Sequence, residues 1–326
     1  MAAACCVAKA GTAAASGAAL VTGASDVALV TGASGVALVT GATGFVGGHL
    51  VRCLAAKGIE VHAVVRRAMT DPAVTALSES AAIHHLDGTT AGLAQIVAAV
   101  KPDIVYHLAA RFVAEHGADD IEKLVHDNLL FGVQLLDAMR SAHVTRFVTA
   151  GSAWQHYGNA DYSPVNLYAA TKEAFGALLQ YYVEAHGIHA VTLELTDSYG
   201  HGDTRRRLIP FMLEAERTGH TMSMVHAELP LDFVHASDVA EAFVKAGQRV
   251  TSSTVAMSEV FAVRSGTPLP VRELFAAWER SRGVAIQAKW GERAVREREV
   301  LDPWTQGTML PGWAPRVSLE HGLRAL

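Results

Sequence analysis

Apolar residues in this chain come in short unbroken runs that alternate with amphipathic stretches. Ala37-Leu38-Val39-Thr40 is one such run, with the continuous hydrophobicity of a strand buried on both faces of a parallel sheet. After it, Val46, Leu50, Cys53 and Leu54 share one face at helical spacing, and Gly58 stands where that helix should stop. Val61–Val65 and Ala82–Leu86 predict two more strands, followed by a helix over Leu93–Val100. Ile104–Leu108 predicts a strand, Ile121–Arg140 one long helix, and Arg146–Thr149 a further strand. A second long helix is expected over Leu167–His186. Such alternation predicts an α/β fold: a doubly wound parallel sheet with helices on both faces.

The first 35 residues break this rhythm. They are Ala-rich, and the strand sequence at Ala37 is preceded by copies beginning at Ala19 and Ala28, nine residues apart. The unit is too short for a solenoid and recurs too few times. Only the third copy runs on into a helix, so a local duplication or a misplaced start is favoured over a functional extension. The leader has no basic segment followed by an apolar run and a cleavage site, so a secretory signal is not expected.

Length and charge narrow the class. The 326 residues allow one large nucleotide-binding core and a smaller second lobe, not several domains. A net charge of −5 with both signs interspersed gives no patch for nucleic acid or membrane. Cys5, Cys6 and Cys53 form no metal-ligand or redox spacing, so no metal is expected and the cytoplasm is the expected compartment.

The strand at Ala37 leads into Gly41-Ala42-Thr43-Gly44-Phe45-Val46-Gly47. Gly41 permits a tight turn, Gly44 lets backbone N–H groups approach a pyrophosphate, and Gly47 lets the helix sit close to the strand. A lone glycine triplet is weak evidence, but between a strand and an amphipathic helix it reads as a Rossmann-type dinucleotide site. The next strand ends in Arg66-Arg67, where an NAD site places a carboxylate for the ribose hydroxyls. Two cations suit a 2′-phosphate, which makes NADP (NADPH) the expected cofactor; a solvated strand end is the bland alternative.

Tyr168 and Lys172 lie four residues apart, on one face if helical. A free phenol has a pKa near 10, so it needs a nearby cation to exchange protons at neutral pH, and Lys172 can supply it. Ser152, just past the Arg146–Thr149 strand, lies at the same rim and could hydrogen-bond a reacting oxygen.

The glycine turn, the His107-Leu108-Ala109-Ala110 strand end, Asn128, Ser152 and Tyr168-x-x-x-Lys172 together resemble the extended short-chain dehydrogenase/reductase family, the NAD(P)-dependent epimerase/dehydratases. The resemblance runs from about Val36 to the C-terminus. It implies that Tyr168 is the catalytic acid/base, Lys172 its partner and Ser152 the hydroxyl that orients the carbonyl. It further implies cofactor contacts from Phe45, Val46, Asp87, Gly88, Leu108, Ala109, Ala110, Tyr168, Lys172 (on the nicotinamide ribose) and Leu195, a structural buried amide at Asn128, and a homodimer built on the two long helices. The expected organisation is a leader at 1–35, an NADP-binding domain carrying the catalytic residues at 36–196, and a mainly substrate-binding lobe at 197–326, partly interleaved with the first.

Four departures sort the reaction. Sugar-nucleotide 4,6-dehydratases of this family carry Asp-Glu after the active-site hydroxyl, where this chain has Ala153-Trp154. Enzymes that also epimerise C3 and C5 use a cysteine where Trp154 stands. The 4-epimerases carry an acidic residue in place of Arg66-Arg67, and a longer connection from the serine to the tyrosine. The segments Ser152–Tyr157, Pro164–Tyr168, Asp197–Pro210 and Leu310–Arg316 instead resemble the CDP-6-deoxysugar 4-ketoreductases of the abequose-synthase kind. The expected substrate is therefore a nucleotide-linked 6-deoxysugar with a keto group, met by Trp154, His156, Asp197 and the Arg205-Arg206-Arg207 cluster, whose forks suit phosphate. Leu231 stands where relatives often carry an Arg before Asp-Phe, which puts more weight on that cluster. Rival readings are an NAD-dependent 4-epimerase, a reductase of non-sugar carbonyls, and an NADP sensor without turnover.

Overall fold

The computed structural model describes residues 35–326, so the leader, apart from Gly35, lies outside the described residues. Strand β1 (Val36–Thr40) is central: it pairs in parallel with β2 (Glu60–Val65) on one side and β4 (Ile104–His107) on the other. With β3 (Ala82–His85), β5 (Arg146–Ser152), β6 (His189–Leu195) and the strand Ser258–Val263, it forms a seven-stranded sheet. The order from the outer edge is β3-β2-β1-β4-β5-β6 and then Ser258–Val263, and every pairing is parallel. The doubly wound sheet predicted from the β/α alternation is what is found. The order reverses beside β1, and the crevice past the carboxyl ends of β1 and β4 is the place where open α/β sheets hold their ligands.

Both faces of the sheet are covered, which is why its strands are apolar without alternation. Ala37 and Val39 face helices α1 (Phe45–Ala56) and Ala236–Ser252, through Leu50, Leu54, Val239 and Phe243. Leu38 faces the other way, into a cluster with Leu93, Leu135, Met139, Phe175 and Leu179 from the helices Thr90–Val100, Phe131–Ser141 and Leu167–His186. A smaller core gathers Tyr199, Ile209, Met212, Met222, Leu274 and Trp278 in the C-terminal part.

One predicted element differs. The helix expected over Ile121–Arg140 is α-helical at Ala118–Val125, widens into a π turn at His126–Leu130, and resumes at Phe131–Ser141. The turn inserts two buried polar residues, Asp127 and Asn128, into an otherwise packed surface. Asn128 spends its amide fully: it accepts from Arg111 N–H at 2.7 Å and donates to Arg111 O at 3.1 Å and Thr171 Oγ1 at 2.9 Å.

Candidate active site

The glycine turn is built so tightly that side chains are excluded. Gly41 has φ +71°, and a Cβ there would lie 2.4 Å from the Ala109 nitrogen. A Cβ on Gly47 would lie 2.1 Å from the Gly41 oxygen, so helix α1 and the turn touch backbone to backbone. Gly44 is the N-cap of α1 and has no capping side chain. The first N–H groups of that helix are thus left for an anion, the arrangement a dinucleotide pyrophosphate needs.

This turn opens on a cavity of about 570 Å³. Its walls bring together Gly41, Gly44, Phe45, Val46 and Gly47 with Leu108, Ala110 and Leu195. Ser152, Trp154, Tyr168, Lys172, Asp197 and Arg205–Arg207 complete it. A second cavity, about 530 Å³, shares Trp154, Asp197, Arg206 and Arg207 with it and continues past Leu208, Phe211, Met222 and Phe233 to Arg293 and Arg296. The two adjoin as one cleft beyond the sheet's carboxyl edge.

The expected catalytic trio meets in the first cavity. Asn166 caps the helix Leu167–His186, accepting from Ala169 N–H at 3.0 Å, and so fixes where Tyr168 and Lys172 project. Lys172 donates to the Ala150 carbonyl at 2.9 Å, and its Nζ lies 5.9 Å from the centre of the Tyr168 ring. Burial lowers the Lys172 pKa to about 8. Burial raises that of Tyr168, against Arg207, a hydrogen bond with Ser152, and Arg205, which pull it down. Ser152 Oγ accepts from Trp154 N–H at 3.2 Å, so the hydroxyl's own proton serves the Tyr168 oxygen and can serve a ligand oxygen that enters beside it.

The arginines differ in role. Arg205 is committed: it donates to Asp203 at 2.7 Å and to Ser198 O at 2.7 Å, with its guanidinium 4.3 Å from the Phe45 ring. Arg207 stacks 4.0 Å over Phe112, and Arg296 lies 4.7 Å from the Trp154 ring. Arg206 stays exposed on the rim.

Some expected residues are not brought to the cavity wall. Arg66 reaches across to the buried Asp127, donating at 2.7 Å, while Arg111 holds the other oxygen at 2.9 Å. Arg67 pairs with Asp71 at 3.1 Å. Asp87 is exposed and accepts from Thr89 in the turn before the next helix, beside Gly88, and Ala109 contributes only backbone beneath Gly41. His156 turns away from the cleft: Glu194 takes its Nε2 at 2.9 Å, the Ala160 carbonyl its Nδ1 at 3.1 Å, and Trp304 stacks on its ring at 4.0 Å. Burial, the largest single influence, works against the imidazolium, but the bond and charge of Glu194 together with the Ala160 and Asp161 carbonyls outweigh it and raise the pKa. Conversely, sequence reasoning missed Phe112, whose ring meets Tyr168 edge-on at 5.0 Å, and Arg296. Phe112 follows closely on the recognised strand end, so its place is readable; Arg296 carries no local signal.

The chain is similar to CDP-abequose synthase of Salmonella muenchen, 25% identical over 86% of this chain and 93% of that protein. It is also similar to UDP-glucose 4-epimerase of Mycolicibacterium smegmatis, 27% identical over 73% of this chain and 79% of the other. The solved Thermus thermophilus UDP-glucose 4-epimerase complex with NAD superposes with a TM-score of 0.74 at 26% identity, over 89% of this chain and 96% of that one. The family model described as "NAD dependent epimerase/dehydratase family" matches residues 37–257. The match covers more than half of the sequence, and this chain belongs to that family.

Proposed function

We propose that the protein reduces a keto group, at C4, on a nucleotide-activated 6-deoxysugar, with NADPH as reductant. The observation that carries this reading is the union, in one cavity, of an uncapped glycine turn with Ser152, Tyr168 and Lys172. The turn fits a nicotinamide dinucleotide, because the space beside Gly41 and Gly47 has no room for a Cβ and the helix N-terminus is open. When bound, that cofactor supplies the hydride. Ser152 holds the carbonyl oxygen by its hydroxyl proton, Tyr168 gives that oxygen a proton, and Lys172 keeps positive charge beside the phenol. Ala153 and Trp154 follow Ser152, so the acid and base that loss of water would need are not supplied there. The second cavity, lined by Arg206, Arg207, Arg293 and Arg296, accommodates the nucleotide diphosphate. The similarity to CDP-abequose synthase supports the same reading.

A second reading, an NAD-dependent sugar-nucleotide 4-epimerase, is favoured by one observation: Arg66 and Arg67 already serve Asp127 and Asp71. The NADP sensor is disfavoured by the retained Tyr168 and Lys172. We further place the protein in the cytoplasm as a homodimer. Exposed Ile121, Val125, Leu178 and Tyr181 on the two long helical segments support the pairing, and no described helix is long and apolar enough to cross a membrane.

The test is purified protein with NADPH and a panel of CDP- and dTDP-4-keto-6-deoxysugars, followed by NADPH absorbance. Consumption with at least one member is expected. No consumption with any, together with tightly bound NAD and interconversion of 4-epimers, would replace this reading by the second.

A further inference from the structure

We propose that Gln155 is a positioning residue of this site, which sets where Ser152 stands relative to the helix that carries Tyr168 and Lys172. Ser152 ends strand β5, and the chain turns at once through a single 3-10 turn, Ala153–Gln155. Gln155 folds back under that turn, and its Oε1 accepts the Ser152 N–H at 2.9 Å. Its Nε2 donates in two directions: to Glu173 Oε2 at 2.7 Å and to Glu194 Oε1 at 3.3 Å. Glu173 is the residue after Lys172 on the catalytic helix, and Glu194 lies on β6. One amide therefore ties together the end of β5, the catalytic helix and β6.

The residue type is dictated by these partners. An amide offers an acceptor on one side and two donors on the other. A carboxylate at 155 could accept from Ser152 but would put a third negative charge against Glu173 and Glu194. Gln155 and Glu194 are each 4% exposed, so water cannot replace a lost bond without rearrangement. The space is also full. A Cβ on Gly151 would lie 2.7 Å from Glu194 Cγ and 3.3 Å from Gln155 Oε1. His156 closes the arrangement from behind: by holding Glu194 Oε2 at 2.9 Å, it aims the other oxygen at Gln155. Gln155, Glu173 and Glu194 line neither cavity of the cleft, so they act on the reaction only through Ser152 and the helix.

The proposal rests on the ketoreductase reading wherever turnover is the readout, so two independent readouts test it. With a 4-keto-6-deoxysugar nucleotide that the unmodified protein reduces, Gln155→Leu should lower kcat by about 10²-fold, as expected for a displacement of ~1 Å at a reacting group. KM and the dinucleotide Kd should stay within about twofold, since binding and positioning are separate here. Gln155→Glu should be as slow as Gln155→Leu, although it retains the acceptor. Glu173→Ala, at a half-buried helical site where alanine is well tolerated, should fold even if the Gln155 variants do not, and should lower kcat by about threefold or more. The second readout needs no substrate. Ultraviolet difference titration isolates the Tyr168 ionisation as the step missing in Tyr168→Phe, and that step should move upward in Gln155→Leu and Glu173→Ala as Ser152 withdraws from the phenol. Unchanged kcat in folded variants, or equal losses in kcat, KM and cofactor binding, overturns the proposal. So does an unmoved Tyr168 titration, whatever the substrate proves to be. An unmodified protein that reduces no such sugar overturns the functional reading alone, and the titration still decides the role of Gln155.

Discussion

Replacing Tyr168 by phenylalanine removes one oxygen and little else. The ring keeps its edge-on contact with Phe112 at 5.0 Å, and Lys172 keeps its bond to Ala150 O at 2.9 Å. Ser152 still accepts from Trp154 N–H at 3.2 Å, so the fold and the dinucleotide site should survive. What is lost is the proton donor. General acid catalysis contributes about 10²–10⁴-fold, which corresponds to about 2.7–5.4 kcal/mol of barrier. Burial holds the phenol's pKa above its ordinary value of 10.0, so at neutral pH it carries the proton that reduction requires. Lys172 sets the pH profile. Its pKa is about 8, below its ordinary 10.5, so its charge is present at lower pH and is lost as pH rises through about 8. The rate of the unmodified protein should be flat on the acid side and fall above that point. Lys172→Arg, which stays charged, should lower the rate overall but abolish the inflection. Single-turnover reduction, measured from about pH 6 to pH 10, tests all of this. If Tyr168→Phe reacts at the unmodified rate, the proton comes from elsewhere and the assignment is refuted.

On the NADPH reading Arg66 and Arg67 exchange Asp127 and Asp71 for the 2′-phosphate, so replacing both by alanine should weaken NADPH at least about tenfold and change NADH much less; fluorescence titration checks this, and equal affinities in the unmodified protein would refute the NADP assignment. Gly47→Ala should abolish dinucleotide binding and lower Tm, because its Cβ would meet the Gly41 oxygen at 2.1 Å. Gly176→Ala, with nothing within 4 Å of its Cβ, should instead stabilise the protein, by about 0.5–1 kcal/mol in thermal melts. His107 is buried and bonded to Thr40 Oγ1 at 2.8 Å, and burial, with a smaller contribution from Lys172, lowers its pKa to about 3. The folded state therefore favours the neutral ring, and stability is full above the unfolded value near 6.5 and declines as pH falls toward 3. Urea unfolding at several pH values should lose up to about 1.4 kcal/mol per unit more in the unmodified protein than in His107→Gln; parallel slopes would show that His107 is not the cause.

The parts of the site that depend on neighbours in sequence are readable from it. The glycine turn follows its strand directly, and Tyr168 and Lys172 share a helix, so spacing alone brings them to one cavity wall. The parts set by distant partners are not. Arg66 stands at a strand end where a 2′-phosphate would suit it, but its side chain is claimed by Asp127, 61 residues on. His156 reads as a loop residue facing the cleft; Glu194, 38 residues on, and Trp304 turn it inward. The π turn escapes because its cause is the bonding of Asp127 and Asn128, whereas apolar periodicity on either side continues without a visible break.

The strand Ser258–Val263 forms one edge of the nucleotide-binding sheet, and Phe243, Phe261, Val263 and Leu310 pack in the same core as β1. Chains are made from the N-terminus, so the early part of this sheet waits on the ribosome with the apolar flank of β6 uncovered. Release from that state requires residues lying well over half the chain's length beyond β1 to emerge. Closing so long a loop is slow, and exposed strand edges meanwhile invite association. The fold therefore makes completion of the dinucleotide half a late event in synthesis, and a chain arrested before the Ser258–Val263 strand should need chaperone protection despite holding every residue of the glycine turn and the Tyr168–Lys172 helix.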